Sequence, residues 1–241
     1  MTKETNKKFS IVRVGIAVFS IILLWLWVAF VVAVKSWYIC IHHYGQSINN
    51  NQLFRASKPV IYLYPSKKQK VSVRLNFKWK IIASYPDYNN NIKWWEVEAY
   101  PDWKIIDIRD WKEYNYLFWE WIPSKKINWD LSRWFVVKWE NIKEFLREKL
   151  KIMWLTSKEY NEFITYWYPK MMNNKYNYVH FSTEKYQNLA RLKITPKPDS
   201  ILRVFMVYKP LDKKIDIKPQ KLEKIDRKWF TVIEWWGSEI K

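Results

Sequence analysis

Polar and apolar residues alternate over "KVSVRLNFKWK", where Val71, Val73, Leu75 and Phe77 share one face, the two-residue period of a half-buried strand. "PVIYLYP" reads as a shorter β-rich strand bounded by prolines. The same pattern predicts strands over residues 92–100, 104–108, 113–121, 133–138, 176–182, 201–208 and 229–235. In "ILRVFMVYK" both faces are apolar. Leu202, Val204, Met206 and Tyr208 lie on one, Ile201, Phe205 and Val207 on the other, which predicts a central strand covered on both sides. One block has the helical period instead. "ENIKEFLREKLKIM" carries an apolar stripe of Ile142, Phe145, Leu146 and Leu150, with Asn141 as N-cap and Glu144 at the third helical position. After Trp154, Thr156 and Glu159 form a capping box for a second helix, which Pro169 helps to end. Residues 57–241 therefore read as an α+β domain, a mainly antiparallel β domain with an inserted αα-hairpin.

A third pattern precedes these. Val14 to Val34 is a run of 21 residues without a charge, enough to cross a bilayer as a helix. Lys3, Lys7, Lys8 and Arg13 precede it and only Lys35 follows closely. The positive-inside rule then puts residues 1–13 in the cytoplasm and the main domain outside, with the lipid bilayer as a partner through residues 14–34. A cleaved signal peptide is the rival, but its apolar region is usually shorter and "VVAVKS" matches a cleavage site poorly. An uncleaved signal anchor fits better. Residues 35–56, with "HHYGQSINNNQ", are polar and aperiodic and read as a linker. His42 and His43 have no carboxylate ligands nearby, so no metal site and no cofactor is expected.

Composition changes the picture at the turns. The chain holds 18 Trp and 3 Gly among 241 residues, whereas average usage gives about 17 glycines. Some bacterial lineages read the codon UGA as glycine, and another common table reads it as tryptophan. Such an alternative genetic code, translated with the wrong table, prints Trp where Gly belongs. Local patterns agree. "PDWKIIDIRDWKEY" places Asp-Trp twice where hairpin turns want glycine in a left-handed conformation. Trp154 follows a helix, the preferred place of a left-handed glycine. Trp95 is in phase with Val97 and Ala99, Trp94 with Glu96 and Glu98, so Trp95 reads as a core residue and Trp94 as misplaced. Trp79, Trp103, Trp111, Trp139 and Trp154 are expected at turns or element ends, and Trp95, Trp119, Trp167 and Trp235 in the core. The alternative is a Trp-rich protein with unusual turns.

The net charge is +19, of which +15 lies in residues 55–241. That suits an anionic envelope polymer or anionic lipid. The basic residues are scattered, and an AT-rich genome also favours lysine. Nucleic acid is disfavoured by the expected location. The single Cys40 excludes an internal disulfide framework.

"KPVIYLYP", "YNYLFWEW", "NEFITYWYPKM", "ITPKPDSILRVFMVYKPLD" and "FTVIEWWG" together resemble a family of uncharacterised, secreted or membrane-anchored bacterial proteins, over nearly all of residues 58–237. The resemblance implies glycine at Trp121, Trp134, Trp139, Trp154 and Trp236, and tryptophan at Trp119, Trp167 and Trp235. It implies no activity.

No established catalytic motif is present. The candidate catalytic residues are Glu120, Glu162 and His180; the candidate binding residues are Tyr116, Trp119, Tyr166, Trp167 and Trp235, with Glu234 beside the last. If Glu120 and Glu162 converged, they would form the acid and base, or acid and nucleophile, of a glycosidase, and the aromatics would stack on sugars. The alternative is core aromatics with carboxylates paired to lysines, and a structural histidine. Two function classes follow. One is a non-catalytic envelope binding or structural module, and the other is a membrane-anchored hydrolase of cell-wall glycan or peptide. A concave pocket holding the candidate acids would favour the second.

Overall fold

The computed structural model describes residues 57–76, 81–89, 91, 93–121, 132–182, 190–222, 224 and 226–240, together with helical residues 25, 27–32, 34 and 35. The chain divides into two units, Met1–Gln52 and Leu53–Lys241, and the division falls within the predicted linker. In the first unit the described residues are helical and exposed. The rest of the apolar run over 14–34, the tail over 1–13, Cys40, His42 and His43 lie outside the described residues. Among the described residues no helix is long and apolar enough to cross a membrane.

The second unit is built on a seven-stranded sheet and a five-stranded sheet. Among the described residues twelve strands run in chain order: β1 (Ser57–Tyr64), β2 (Gln69–Asn76), β3 (Ile81–Tyr85), β4 (Trp95–Ala99), β5 (Ile105–Asp107), β6 (Glu113–Tyr114), β7 (Leu117–Trp121), β8 (Phe135–Lys138), β9 (Tyr176–Phe181), β10 (Arg191–Thr195), β11 (Ser200–Leu211) and β12 (Thr231–Glu239). The large sheet has the order β3-β7-β1-β12-β11-β9-β8 and the small one β10-β2-β4-β5-β6. Every ladder is antiparallel except β11–β12, which is parallel. Two helices, α1 (Ile142–Ile152) and α2 (Ser157–Met171), lie between β8 and β9 in the chain and form the expected hairpin.

The large sheet is apolar on both faces, and each face has its own core. Ile61, Leu63, Leu117, Trp119, Trp121, Phe205, Val207 and Trp236 pack with Val71, Val73, Leu75, Trp95, Val97 and Ala99 of the small sheet. Val60, Tyr62, Val204, Met206, Ile233 and Trp235 pack with Ile142, Leu146, Leu150, Phe163, Trp167 and Met171 of the helices. β11 is buried from Leu202 through Tyr208, as its two apolar faces predict. Gly237 is the glycine the packing requires, because an added Cβ would lie 2.6 Å from both the Met206 carbonyl oxygen and the Trp167 ring.

Three details depart from the expected elements. The segment 113–121 is two strands: β6 belongs to the small sheet, β7 to the large one, and the chain changes sheet at Asn115–Tyr116. Strands β3 and β10, absent from the sequence reading, are edges; β3 buries no side chain and β10 only Ile194, so their apolar pattern is weak. Asn141 makes no side-chain cap, because a 3-10 turn over Trp139–Asn141 already runs into α1 and holds it in a helical conformation. The capping box of α2 is present: Glu159 N–H donates to Thr156 Oγ1 at 3.5 Å and Thr156 N–H donates to Glu159 Oε2 at 2.7 Å.

The tryptophans fall into three groups. Trp103, Trp111 and Trp154 have φ of +68°, +57° and +66°, where a side chain is strained by roughly 1–2 kcal/mol and glycine is not. Trp103 follows Pro101-Asp102 in the β4–β5 hairpin, and Trp111 closes the β5–β6 hairpin by donating its N–H to Asp107 O at 2.9 Å. Trp154 caps α1: its N–H donates to Lys151 O at 2.9 Å, and Leu155 N–H donates to Leu150 O at 3.0 Å. That pair of bonds is the Schellman motif, with Trp154 at the position where glycine is preferred. Trp139 is exposed at the start of the 3-10 turn, and Trp79 lies outside the described residues. Trp95, Trp119, Trp167 and Trp235 are fully or almost fully buried, as expected. Trp121, Trp134 and Trp236, which the family resemblance reads as glycine, are also fully buried. Trp134 stacks on Tyr178 at 4.2 Å and Trp236 lies tilted against Phe205 at 3.8 Å, closer than the roughly 4.5–7 Å usual between ring centres.

Candidate functional site

The register of β3, β7 and β1 lines up the side chains that face the helices. Tyr85 lies opposite Phe118, and Phe118 opposite Val60. Two residues along each strand, Glu120 comes beside Lys58; two residues the other way, Tyr116 meets Tyr62, edge to face at 5.4 Å. Over this row stands one face of α2. Lys158, Glu162, Tyr166 and Lys170 recur at intervals of four, so they form a single ridge. Between row and ridge opens a groove of about 420 Å³ lined by Lys58, Tyr85, Tyr116, Phe118, Glu120 and Tyr166. Tyr85 stands outermost, 62% exposed.

Lys58 sits where the β1–β12 register shifts, with φ of +54°. That irregularity turns its side chain toward α2, with Nζ 5.4 Å from the Tyr166 ring centre and 5.5 Å from that of Trp235. Burial holds its ammonium below the usual lysine value; Glu162 opposes this and Lys170 adds to it. Lys170 Nζ lies 3.9 Å from the same Tyr166 ring. Glu120 Oε1 accepts from the Lys58 main-chain N–H at 3.4 Å. Glu162 accepts from the Tyr62 hydroxyl at 2.5 Å and from Lys158 at 3.0 Å. Burial and then this hydrogen bond push the Tyr62 phenol far above its ordinary value; burial and the Glu162 charge raise Tyr116 as well.

The two candidate carboxylates therefore stand on different rungs. Glu162 sits over the Tyr62–Tyr116 rung, and Glu120 is four residues further along β7, about 13 Å of strand. Of the other candidates, Tyr116 and Tyr166 line the groove. Trp119 faces the opposite side of β7, fully buried, where its Nε1–H donates to Glu234 Oε1 at 3.3 Å. Trp167 and Trp235 lie beneath the groove in the helix-side core. His180 is remote, on β9, with Nδ1 2.8 Å from Arg133 O and its ring against Trp134. Glu234 is committed to Arg203, at 2.5 Å, inside the inter-sheet core. Lys58, Tyr85 and Phe118 were missed by sequence reasoning. Lys58 precedes a proline at a strand start and gives no periodic signal, and Tyr85 belongs to an unpredicted edge strand.

Among the described residues no group of three His, Cys, Asp or Glu side chains is placed to hold a metal ion. A larger groove of about 620 Å³ runs along β8 and α1, lined by Phe135, Phe145, Lys149, Lys214 and Ile217 among others. None of the candidate residues lines it. Compared with known protein families, curated proteins and solved structures, the chain matches none.

Proposed function

We propose that the chain is a membrane-anchored, extracytoplasmic module that binds a component of the bacterial envelope and does not cleave it. The observation that carries this reading is the groove between β7 and α2, open to solvent and walled by Tyr85, Tyr116, Phe118 and Tyr166. Aromatic faces on a rigid sheet and helix suit stacking on a sugar or peptide strand. The hydrolase reading has less support, because Glu162 is held by Tyr62 and Lys158, and Glu120 lies on another rung. Anchoring rests on the uncharged run over 14–34 and the basic residues before it, which favour a cytoplasmic N-terminus and the main unit outside. The test is sedimentation of the full chain with purified envelope polymers. Co-sedimentation that Tyr116→Ala abolishes and Glu120→Gln leaves intact supports a binding module. Release of soluble fragments, lost in Glu120→Gln or Glu162→Gln, supports the hydrolase instead.

The same reading includes glycine at Trp103, Trp111 and Trp154, read from UGA codons. Their left-handed conformations and turn hydrogen bonds support it.

A further inference from the structure

The groove has a polarity that its aromatic walls do not explain. Two ammonium groups, Lys58 Nζ and Lys170 Nζ, lie within 5.4 Å and 3.9 Å of the one Tyr166 ring centre, from a strand and a helix. Two like charges converging on one ring repel each other. Neither forms an ion pair with a carboxylate among the described residues. The nearby acids are occupied: Glu162 is paired with Lys158, and Glu120 accepts from the main chain at Lys58. The ridge thus ends, beyond Glu162, in a positive corner beside an aromatic wall. Residues 55–241 carry +15, so long-range attraction has the same sign.

Resting on the reading that this groove is the binding site, we infer that its ligand is an acidic glycan. Sugar rings lie against Tyr116 and Tyr85, and a carboxylate or phosphate substituent lies against Lys58 in the groove, with Lys170 on the ridge beside it. A neutral glycan would leave Lys58 with only the Glu162 charge, already shared with Tyr62 and Lys158, to oppose it. A flexible polyanion without rings would leave the aromatic wall unused. An anion placed here accepts from Lys58 and is drawn by the charge of Lys170 beside the same Tyr166 ring, and sugar C–H groups meet the ring faces.

The test is calorimetric titration of the full-length protein in detergent with three probes: hexagalacturonate, cellohexaose and polyglycerol phosphate. Hexagalacturonate should bind at least about tenfold more tightly than cellohexaose, the size of one charged hydrogen bond. Lys58→Met should weaken hexagalacturonate by about tenfold and Lys170→Met, on the exposed helix surface, by about threefold, and both should leave cellohexaose unchanged. Tyr116→Ala should weaken both oligosaccharides. Equal affinity for the acidic and neutral oligosaccharides overturns the acidic-ligand inference and leaves the binding module standing. Binding of polyglycerol phosphate as tight as hexagalacturonate, and indifferent to Tyr116→Ala, overturns it as charge attraction alone. Binding of none of the three removes both readings. Lys170→Met keeps the test decisive if Lys58→Met fails to fold.

Discussion

Backbone conformation, more than burial, separates the tryptophans. Only five described residues have positive φ, and three of them are Trp103, Trp111 and Trp154. In protein made with tryptophan at these positions, Trp154→Gly should stabilise the fold by about 1 kcal/mol, and Trp103→Gly and Trp111→Gly similarly. Each should raise the thermal midpoint by about 2–4 °C in a unit of this size. Trp95→Gly and Trp119→Gly should instead cost about 4 kcal/mol or more, because each empties a fully buried site. Chemical denaturation of the five variants checks the contrast, and a Trp154→Gly loss as large as that of Trp95→Gly contradicts it. These turn positions were legible in the sequence because Asp-X between two strand-like runs and helix-X-Leu-Thr fix where the chain must reverse. Trp121, Trp134 and Trp236 were not legible in that way. They stand inside strands or at a strand start, where no turn signal exists, and only the family resemblance marked them.

Individual elements obey patterning wherever both of their faces are determined. The two faces of β11, the stripe of α1 and the capping box of α2 were readable, since each buries a periodic set of side chains. The edges β3 and β10 were not, because β3 buries no side chain and β10 buries only Ile194, so neither carries a clear period. The groove was half legible for the same reason. Tyr116, Glu120 and Tyr166 came from periodic elements, whereas Lys58 and Tyr85 depend on a register shift and an edge strand. Between elements, an ion pair ties the β11–β12 crossover to the helices: Arg227 reaches Glu159 at 2.9 and 3.0 Å, and Glu159 is fully buried. Arg227→Ala leaves that carboxylate without its guanidinium partner and should cost about 3 kcal/mol, whereas Thr156→Ala, which removes one cap, should cost about 1 kcal/mol. Urea unfolding of the two variants measures the difference, and equal losses contradict the assignment.

For the molecule as a whole, several tyrosines bind their phenolic protons more tightly folded than unfolded. Tyr114 is raised to about 12 by its hydrogen bond to Asp110 and by burial, and Tyr62 and Tyr208 are raised further, first by burial. A raised pKa means the stabilising contribution is complete below the unfolded value near 10 and is lost as pH rises through it. Stability should therefore fall steadily above about pH 10, and Tyr62→Phe should flatten that slope. Denaturation midpoints across the alkaline range test this; an unchanged slope in Tyr62→Phe would remove Tyr62 from the account. At the same scale, an outward-facing unit on a single anchor should be degraded by protease added to intact cells, while the cytoplasmic tail survives.

The central claim joins place and site: the groove under Tyr116 meets envelope material outside the membrane. A photo-crosslinking residue at position 116 in living cells tests both together, with position 180 as the control. The account predicts an adduct at 116 that a glycan hydrolase trims, and no such adduct at 180. Adducts with cytoplasmic proteins, or the same envelope adduct from both positions, would contradict it.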